Sequence, residues 1–280
     1  MSATPGELRE VAVRVAAEAA ALVRRTRAEG VAVAATKSSG VDVVTEIDRA
    51  SEALVRTRLG ELRPGDAVLG EEEGERAGST GVRWVVDPVD GTVNLLYGIP
   101  EYAVSIAAEV DGQVVAGAVV DVVRDVVYAA ALGQGATRDG VPLRVRPAAP
   151  VAERLVLTGF GYLPEVRAHQ GACVARLLPL VRDVRRMGSC ALDLCHVAEG
   201  IADAYVEEGP QPWDWAAGSL VVSEAGGRFA RLPGTGPAGS PGTDPREVLV
   251  AGPAEGWDEL VDLLVHTGFL NHANASGSRG

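Results

Sequence analysis

Trp84-Val85-Val86-Asp87-Pro88-Val89-Asp90-Gly91-Thr92 is the stretch on which the reading of this chain turns. Its first half is an apolar, β-branched run that reads as a buried strand, and its second half stops that strand. Pro88 has no N–H to give to a ladder, so the strand is predicted to end at Asp87, with Asp90 three residues on. Both carboxylates can then converge on one side of the turn, where they repel unless a cation lies between them. Hard oxygen ligands of this type suit Mg2+, with the Val89 carbonyl as an extra donor. Gly91 and Thr92 open a short helix whose free N–H groups can hold a phosphate. Taken alone, the same residues also read as a surface Asp-Gly turn after a buried strand.

Two further acidic features lie outward from this segment. Upstream, Glu71, Glu72 and Glu73 follow the apolar run Ala67-Val68-Leu69, again acids at a strand end, although an isolated run of this kind is more often a solvated face. Downstream, Pro212-Trp213-Asp214 puts an aspartate in the first turn of an apolar helix, where its bland role is capping or a favourable interaction with the helix dipole. Together the three places supply acids from separate strand and helix ends, which is what a phosphatase with two or three metal ions needs.

The rest of the chain frames this centre. Thr4, Pro5 and Glu7 form a capping-box-like start, followed by Leu8, Val11, Val15, Ala19 and Leu22 at helical spacing up to Gly30. A second helix is predicted from about Asp48 to Leu62, with Ala50, Leu54, Val55 and Leu59 on one face and Pro64-Gly65 as its stop. Strands follow at Trp84 to Asp87, Tyr102 to Val110, Val114 to Val122 and Val126 to Leu132, with Asp111-Gly112 as a hairpin turn. After Pro147 and Pro150 the pattern alternates: strand Leu155 to Leu157, helix Val166 to Val181, strand Val184 to Met187, helix Ser189 to Glu199, strand Ala202 to Glu207, helix Trp213 to Ala225. Two short strands flank a Gly/Pro-rich loop at Gly234 to Pro245, and a helix spans Trp257 to Thr267. The fold class is therefore α+β joined to α/β. The expected division is an N-terminal half 1–148 with most metal ligands, a C-terminal half 149–270 with substrate-side residues, and a disordered tail 271–280, the halves forming one compact unit.

The 280 residues carry a formal net charge of -12, so any bound anion needs a local cation, and sequence-independent nucleic-acid binding is disfavoured. Cys173, Cys190 and Cys195 make an odd set without framework spacing, and charged residues interrupt the N-terminal apolar stretch. Both features lead to the expectation of a soluble cytoplasmic protein without disulfides, signal peptide or membrane span. Among 26 basic residues Lys37 is the only lysine, which fits either a need for a compact, rotatable ammonium head or chance. Three other signals are set aside. Gly234 to Gly239 formally matches a dinucleotide fingerprint but lies in a proline-rich loop, Cys190, Cys195 and His196 lack a second zinc-ligand pair, and no Gly-x-Ser-x-Gly elbow exists.

Gly70-Glu71-Glu72, Asp87 to Thr92 and Trp213 to Gly218, in that order, resemble the signatures of the inositol monophosphatase family, with similarity from about Val41 to Gly227. The resemblance implies a layered αβαβα sandwich of the inositol monophosphatase and fructose-1,6-bisphosphatase type. It also implies two or three Mg2+ ions: Glu71, Asp87 and the Val89 carbonyl on the first, Asp87, Asp90 and Asp214 on the second, and a weaker third sharing Glu71 with Glu72 close by. Gly91 and Thr92 would cradle phosphate, Asp48 of the Thr45 to Asp48 element would hydrogen-bond Thr92 to orient the attacking water, and Lys37 would sit on a mobile active-site loop. Catalytic roles thus fall to Glu71, Asp48, Thr92 and Lys37. On the substrate side it implies Asp90, Gly91, Thr92, Gly188, Ser189, Cys190, Glu207 and Asp214, with Asp193 in the neighbouring segment. Cys190 stands where the family usually has alanine, and Glu208 to Pro212 departs from its pattern.

The implied reaction is Mg2+-dependent hydrolysis of a small polyol phosphate, first of all myo-inositol 1-phosphate, by a homodimer sensitive to Li+. Histidinol phosphate, 3'-phosphoadenosine 5'-phosphate and fructose 1,6-bisphosphate are the alternative substrates. A regulatory binding partner built on the same scaffold is the alternative of another class.

Overall fold

In the computed structural model, which describes residues 3–29, 33–36, 43–237 and 247–271, the chain opens on helix α1 (Pro5–Glu29). Thr4 N–H donates to Glu7 Oε2 at 2.8 Å and Glu7 N–H returns to Thr4 Oγ1 at 3.3 Å, the reciprocal capping the sequence predicts. A short hairpin of β1 (Val33–Thr36) and β2 (Val43–Thr45) leads into α2 (Glu46–Leu62). Strands β3 (Ala67–Gly70), β4 (Gly74–Arg76) and β5 (Val82–Asp90), helix α3 (Thr92–Tyr97), and strands β6 (Ala103–Val110), β7 (Gln113–Asp121), β8 (Val126–Ala131), β9 (Ala136–Arg138) and β10 (Val141–Pro142) complete the first half.

These strands form one eight-stranded sheet in the order β10-β9-β8-β7-β6-β5-β3-β4, antiparallel except where β3 lies parallel to β5. The hairpin expected at Asp111-Gly112 is present: Val110 pairs with Gln113, and both turn residues have positive φ, 51° and 76°. Asp139-Gly140 makes the same turn between β9 and β10. Strands β4, β9 and β10 span only two or three residues, too few to leave a period in the sequence. One face of the sheet, built from Val104, Ile106 and Ala108 of β6 and Ala116, Ala118 and Val120 of β7, packs against α1 through Leu8, Ala12, Val15, Ala16 and Ala19. The alternating set Ala103, Ala107 and Val119 points to the other face.

That other face is covered by helices from the second half. After β11 (Leu155–Thr158) come α4 (Pro164–Leu177), β12 (Asp183–Arg185), α5 (Cys190–Ala198), β13 (Ala204–Glu208), α6 (Pro212–Glu224), β14 (Gly227–Pro233), β15 (Glu247–Pro253) and α7 (Trp257–His266). The second sheet has the order β12-β11-β13-β15-β14, with β11 parallel to both neighbours and β15 antiparallel to both of its own. Helices α5 and α6 share a core with inward residues of both sheets, while Cys173 and Leu177 of α4 and Trp257, Leu260 and Leu264 of α7 cover the far face. The layers therefore run α1 and α2, eight-stranded sheet, α5 and α6, five-stranded sheet, α4 and α7, which is the αβαβα sandwich.

Most element boundaries differ from the sequence expectation by a few residues. The fourth helix ends at Leu177, short of Val181, and the strand predicted at Val184 to Met187 is Asp183–Arg185. The strands either side of the Gly/Pro-rich loop are not short: each is seven residues long, and they pair with one another. The buried face of α2 is a more instructive correction. Ala50 is exposed and Leu54 only half-buried, and the inward stripe is Ile47, Asp48, Ser51, Glu52, Val55, Arg56 and Leu59. Lys37, the loop residues after Pro237 and the tail from His272 lie outside the described residues. Among the described residues no helix is long and apolar enough to cross a membrane.

Candidate metal centre

A regular strand would send Asp87 and Asp90, three residues apart, to opposite faces of the sheet. The β5 ladder avoids this with a bulge: Asp87 pairs with Ser105 and Asp90 with Ala103, so three steps on β5 oppose two on β6. One extra residue turns an odd spacing into an even one, and both carboxylates emerge on the same face. Asp87 Oδ1 accepts the Val89 N–H at 3.0 Å, a local bond that shapes the turn. Gly91 then takes φ 93°, and any Cβ there would sit 2.8 Å from the Glu101 carbonyl, so only glycine fits this backbone.

Helix α2 supports the bulge from one side. Asp48, Ser51 and Glu52, at i, i+3 and i+4, share one face. Asp48 Oδ1 lies 3.1 Å from Thr92 Oγ1, the pairing the family resemblance implies. Thr92 Oγ1 is also 3.0 Å from the Val89 carbonyl, so its single proton serves one acceptor at a time. Ser51 Oγ donates to the Pro88 carbonyl at 3.0 Å, and Glu52 takes the N–H groups of Glu72 and Glu73 at 2.8 and 3.1 Å. Ser51 and Glu52 were missed by sequence reasoning. Their signal was the i, i+3, i+4 relation to Asp48, hidden because polar residues on a helix normally mark its solvent face.

From the other side come α5 and α6. Ser189, at the N-cap of α5, donates through Oγ to Asp90 Oδ2 at 2.6 Å, and the Ala191 N–H donates to the same oxygen at 2.7 Å. Asp90 is thus held at a helix N-terminus, where a negative charge is favoured. Asp214, in the first turn of α6, accepts the Gln211 N–H at 2.6 Å, and Ser105 Oγ ties the Trp213 carbonyl back to β6 at 3.3 Å. Carboxylate oxygens of Asp87, Asp90 and Asp214 lie within 4.8 Å of one another, the one such group among the described residues.

The electrostatics of this group are unfavourable for bare carboxylates. Burial pushes Asp87 well above the usual carboxylate range, and the charges of Glu71, Asp90 and Asp214 push it further. Asp214 is raised by burial and by the charges of Asp90 and Glu71. Asp90 is raised by burial to about 6, held down by its hydrogen bonds from Ser189, Ala191 and Cys190 and by the Arg186 charge. Two buried acids, Asp87 and Asp90, and the half-buried Asp214, each raised in this way, form an oxygen-only donor set of the kind a hard divalent cation neutralises. A divalent cation therefore fits the residues present.

Beyond Asp90 lie the residues expected on the substrate side. Gly188 has φ 102° and adjoins Asn94, whose Nδ2 donates to the Glu101 and Met187 carbonyls at 2.7 and 2.9 Å. Ser189 is fully buried, and Cys190 is buried with its Sγ accepting the Tyr205 hydroxyl at 3.0 Å. Glu207 Oε2 lies 2.8 Å from the same hydroxyl, whose single proton serves one of the two acceptors at a time. Burial raises Glu207 to about 7, against the lowering effects of Tyr205 and Arg186. Asp193 is buried too, and its Oδ1 has no hydrogen-bond partner.

Comparison with known proteins follows the same lines. Residues 5–266 match the model of the inositol monophosphatase family. Inositol-1-monophosphatase SuhB of Mycobacterium tuberculosis is 49% identical over 278 residues, covering 93% of this chain and 94% of its own. The Nus factor SuhB of Escherichia coli is 37% identical over 268 residues, covering 91% and 97%. The solved structure of Mycobacterium tuberculosis SuhB superposes with a TM-score of 0.81 at 45% identity, over 95% of this chain and 99% of that one.

Proposed function

Since this chain belongs to the inositol monophosphatase family and is a phosphoric monoester hydrolase, we propose that it uses Mg2+ to hydrolyse a small polyol phosphate, foremost myo-inositol 1-phosphate, to the alcohol and phosphate. The observation that carries this reading is the meeting of Asp87, Asp90 and Asp214 from β5 and α6, carboxylates within 4.8 Å of one another. Glu71, Asp87 and the Val89 carbonyl would hold one ion and Asp87, Asp90 and Asp214 a second. Glu71 and Glu72 would take part in a weaker third. When bound, the cations supply positive charge to the phosphoryl oxygens and the departing alkoxide and lower the pKa of water.

The chain's own groups do the rest. Thr92 Oγ1, with its proton turned to Asp48, keeps lone pairs that accept a hydrogen from water and orient it toward phosphorus. The N–H groups of Gly91 and Thr92 hold phosphate oxygens, and Lys37 adds a cation. Gly188, Ser189 and Cys190 border the alcohol, and Glu207 accepts its hydroxyl protons. The same reading includes a cytoplasmic homodimer inhibited by Li+, acting without nucleic acid or membrane, with 1–148 and 149–270 as two halves of one unit.

Assay of the purified protein with Mg2+ against inositol 1-phosphate, histidinol phosphate, 3'-phosphoadenosine 5'-phosphate and fructose 1,6-bisphosphate tests the reading. The highest kcat/KM is expected on inositol 1-phosphate. A higher value on another substrate reassigns the alcohol, and absence of turnover on all four overturns the reading. The name Nus factor borne by the Escherichia coli relative favours a second reading, in which this scaffold also acts by binding. A cellular phenotype that survives Asp90→Asn would support it.

A further inference from the structure

Outside the acid cluster, the side chain of Glu52 has a geometry that the reaction as proposed does not use. It is wholly buried in α2. Its Oε2 accepts the Glu72 N–H at 2.8 Å, and its Oε1 accepts the Glu73 N–H at 3.1 Å and Arg56 Nε at 2.8 Å. Arg56 extends the clamp: its Nη2 donates to the Gly74 carbonyl at 2.6 Å, and its Nε lies 3.3 Å from Glu73 Oε2. The strand end is shaped for this approach, because a Cβ on Gly70 would sit 2.3 Å from Glu52 Oε1.

The consequence lies in the turn between β3 and β4. Glu71 is tied to the sheet by its own N–H, 3.3 Å from the Val86 carbonyl. The next two N–H groups fall beyond the β3 ladder and face a helix, where an unmet donor is costly. One carboxylate meets both. The backbone is therefore fixed on both sides of Glu71, the acid whose charge reaches Asp87 and Asp214. Those partners have supports of their own: Asp87 its bond from Val89, Asp90 its bonds from Ser189 and Ala191, Asp214 its bond from Gln211.

We propose that Glu52 is a positioning residue that fixes the Glu71 turn and so sets the affinity for the cation held on the Glu71 side, leaving the Asp87, Asp90 and Asp214 grouping in place. This rests on the metal-dependent reading above. Supporting residues of this kind typically contribute 10- to 100-fold to metal affinity.

The test uses Glu52→Gln in the full chain. The amide keeps the volume but turns an NH2 toward one backbone N–H. Glu52→Asp keeps the charge beside Arg56 and draws the oxygens back from the turn. Mg2+ and Mn2+ binding are measured by calorimetry, with activity against Mg2+ concentration and melting in chelator alongside. Both variants are expected to weaken one class of cation site about tenfold or more. The Mg2+ needed for half-maximal activity should rise by a similar factor, while kcat at saturating Mg2+ and substrate KM stay within about threefold. A lower melting temperature with unchanged cation affinity overturns the proposal, since it marks a purely structural role. Asp90→Asn, measured in parallel, separates the two readings. If it loses cation binding while both Glu52 variants bind as wild type, only the positioning role fails. If it binds undiminished, the metal reading fails.

Discussion

Two settings of carboxylates in this molecule make a contrast. Around His196, Glu101 and Glu199 are buried among fixed donors: His196 Nε2 is 2.7 Å from Glu101 Oε1 and its Nδ1 is 3.0 Å from Glu199 Oε1. Tyr128 donates to Glu199 at 2.8 Å, and Arg124 donates to Glu101 at 3.0 Å. Burial raises both acids, but these partners more than offset it and leave both below the ordinary carboxylate value. In the acid centre, Asp87, Asp90 and Asp214 face one another and all three are raised. A carboxylate buried with a protein cation is complete in itself. A group of carboxylates that face one another is left to be neutralised by protons or by a cation from outside.

Four expected outcomes break or sharpen that contrast. Asp90→Asn should lower turnover by about a thousandfold, roughly 4 kcal/mol of transition-state stabilisation, read from kcat/KM with Mg2+. Activity near wild type would remove the distinction between the two settings.

The next effect lies in the paired network. Burial alone would lower the His196 pKa, and its hydrogen bonds to Glu101 and Glu199 push it instead up to about 9. Because the folded value exceeds the unfolded one of about 6.5, this stability is fully present below pH 6.5 and is lost as pH rises through 9. Urea unfolding at pH 6 and pH 9.5 should show the gap between wild type and His196→Leu shrinking by about 3 kcal/mol. A gap independent of pH would mean that the imidazolium is not what completes the pair.

Asp214→Asn should act in the opposite sense on the metal-free protein. With chelator present, removing one of the mutually repelling charges should stabilise the fold by about 1 to 2 kcal/mol in the same unfolding assay. The variant should also lose the protection that Mg2+ gives the wild type. Destabilisation in chelator would place Asp214 with the self-sufficient acids.

Glu207 is intermediate, with one tyrosine donor and a pKa near 7. Glu207→Gln should raise KM for the polyol phosphate about tenfold, roughly 1.4 kcal/mol, and leave kcat nearly unchanged, as expected for lost ground-state binding. A fall in kcat with KM constant would move Glu207 from substrate binding into the reacting group.

Legibility in the sequence follows the range of the interactions. The capping box at Thr4 and Glu7, the turn at Asp111-Gly112 and the alternation in β6 and β7 depend on residues a few positions apart, so local pattern reveals them. Asp90 and Asp214 were also legible as acids at the ends of apolar elements, whereas Asp87, expected to end its strand, lies inside β5, which runs on through Pro88 to Asp90. The inward polar stripe of α2 was not, since Asp48, Ser51 and Glu52 look like a solvated helix face until the Glu71 turn and the β5 bulge are packed against them. His196 read as one of several scattered histidines, because Glu101, its partner at 2.7 Å, is 95 positions away.

The sequence by itself determined which residue types were on offer: acids where apolar strands and helices end, a proline and a glycine to bend the backbone between two of them, and the alternation from helices to strands that defines the layers. Only the tertiary structure decided which buried acids would have a protein partner and which would face one another. The physical reason is that burial makes a charge depend on its immediate neighbours, and those neighbours come from segments up to about a hundred residues apart, 99 between Asp90 and Ser189.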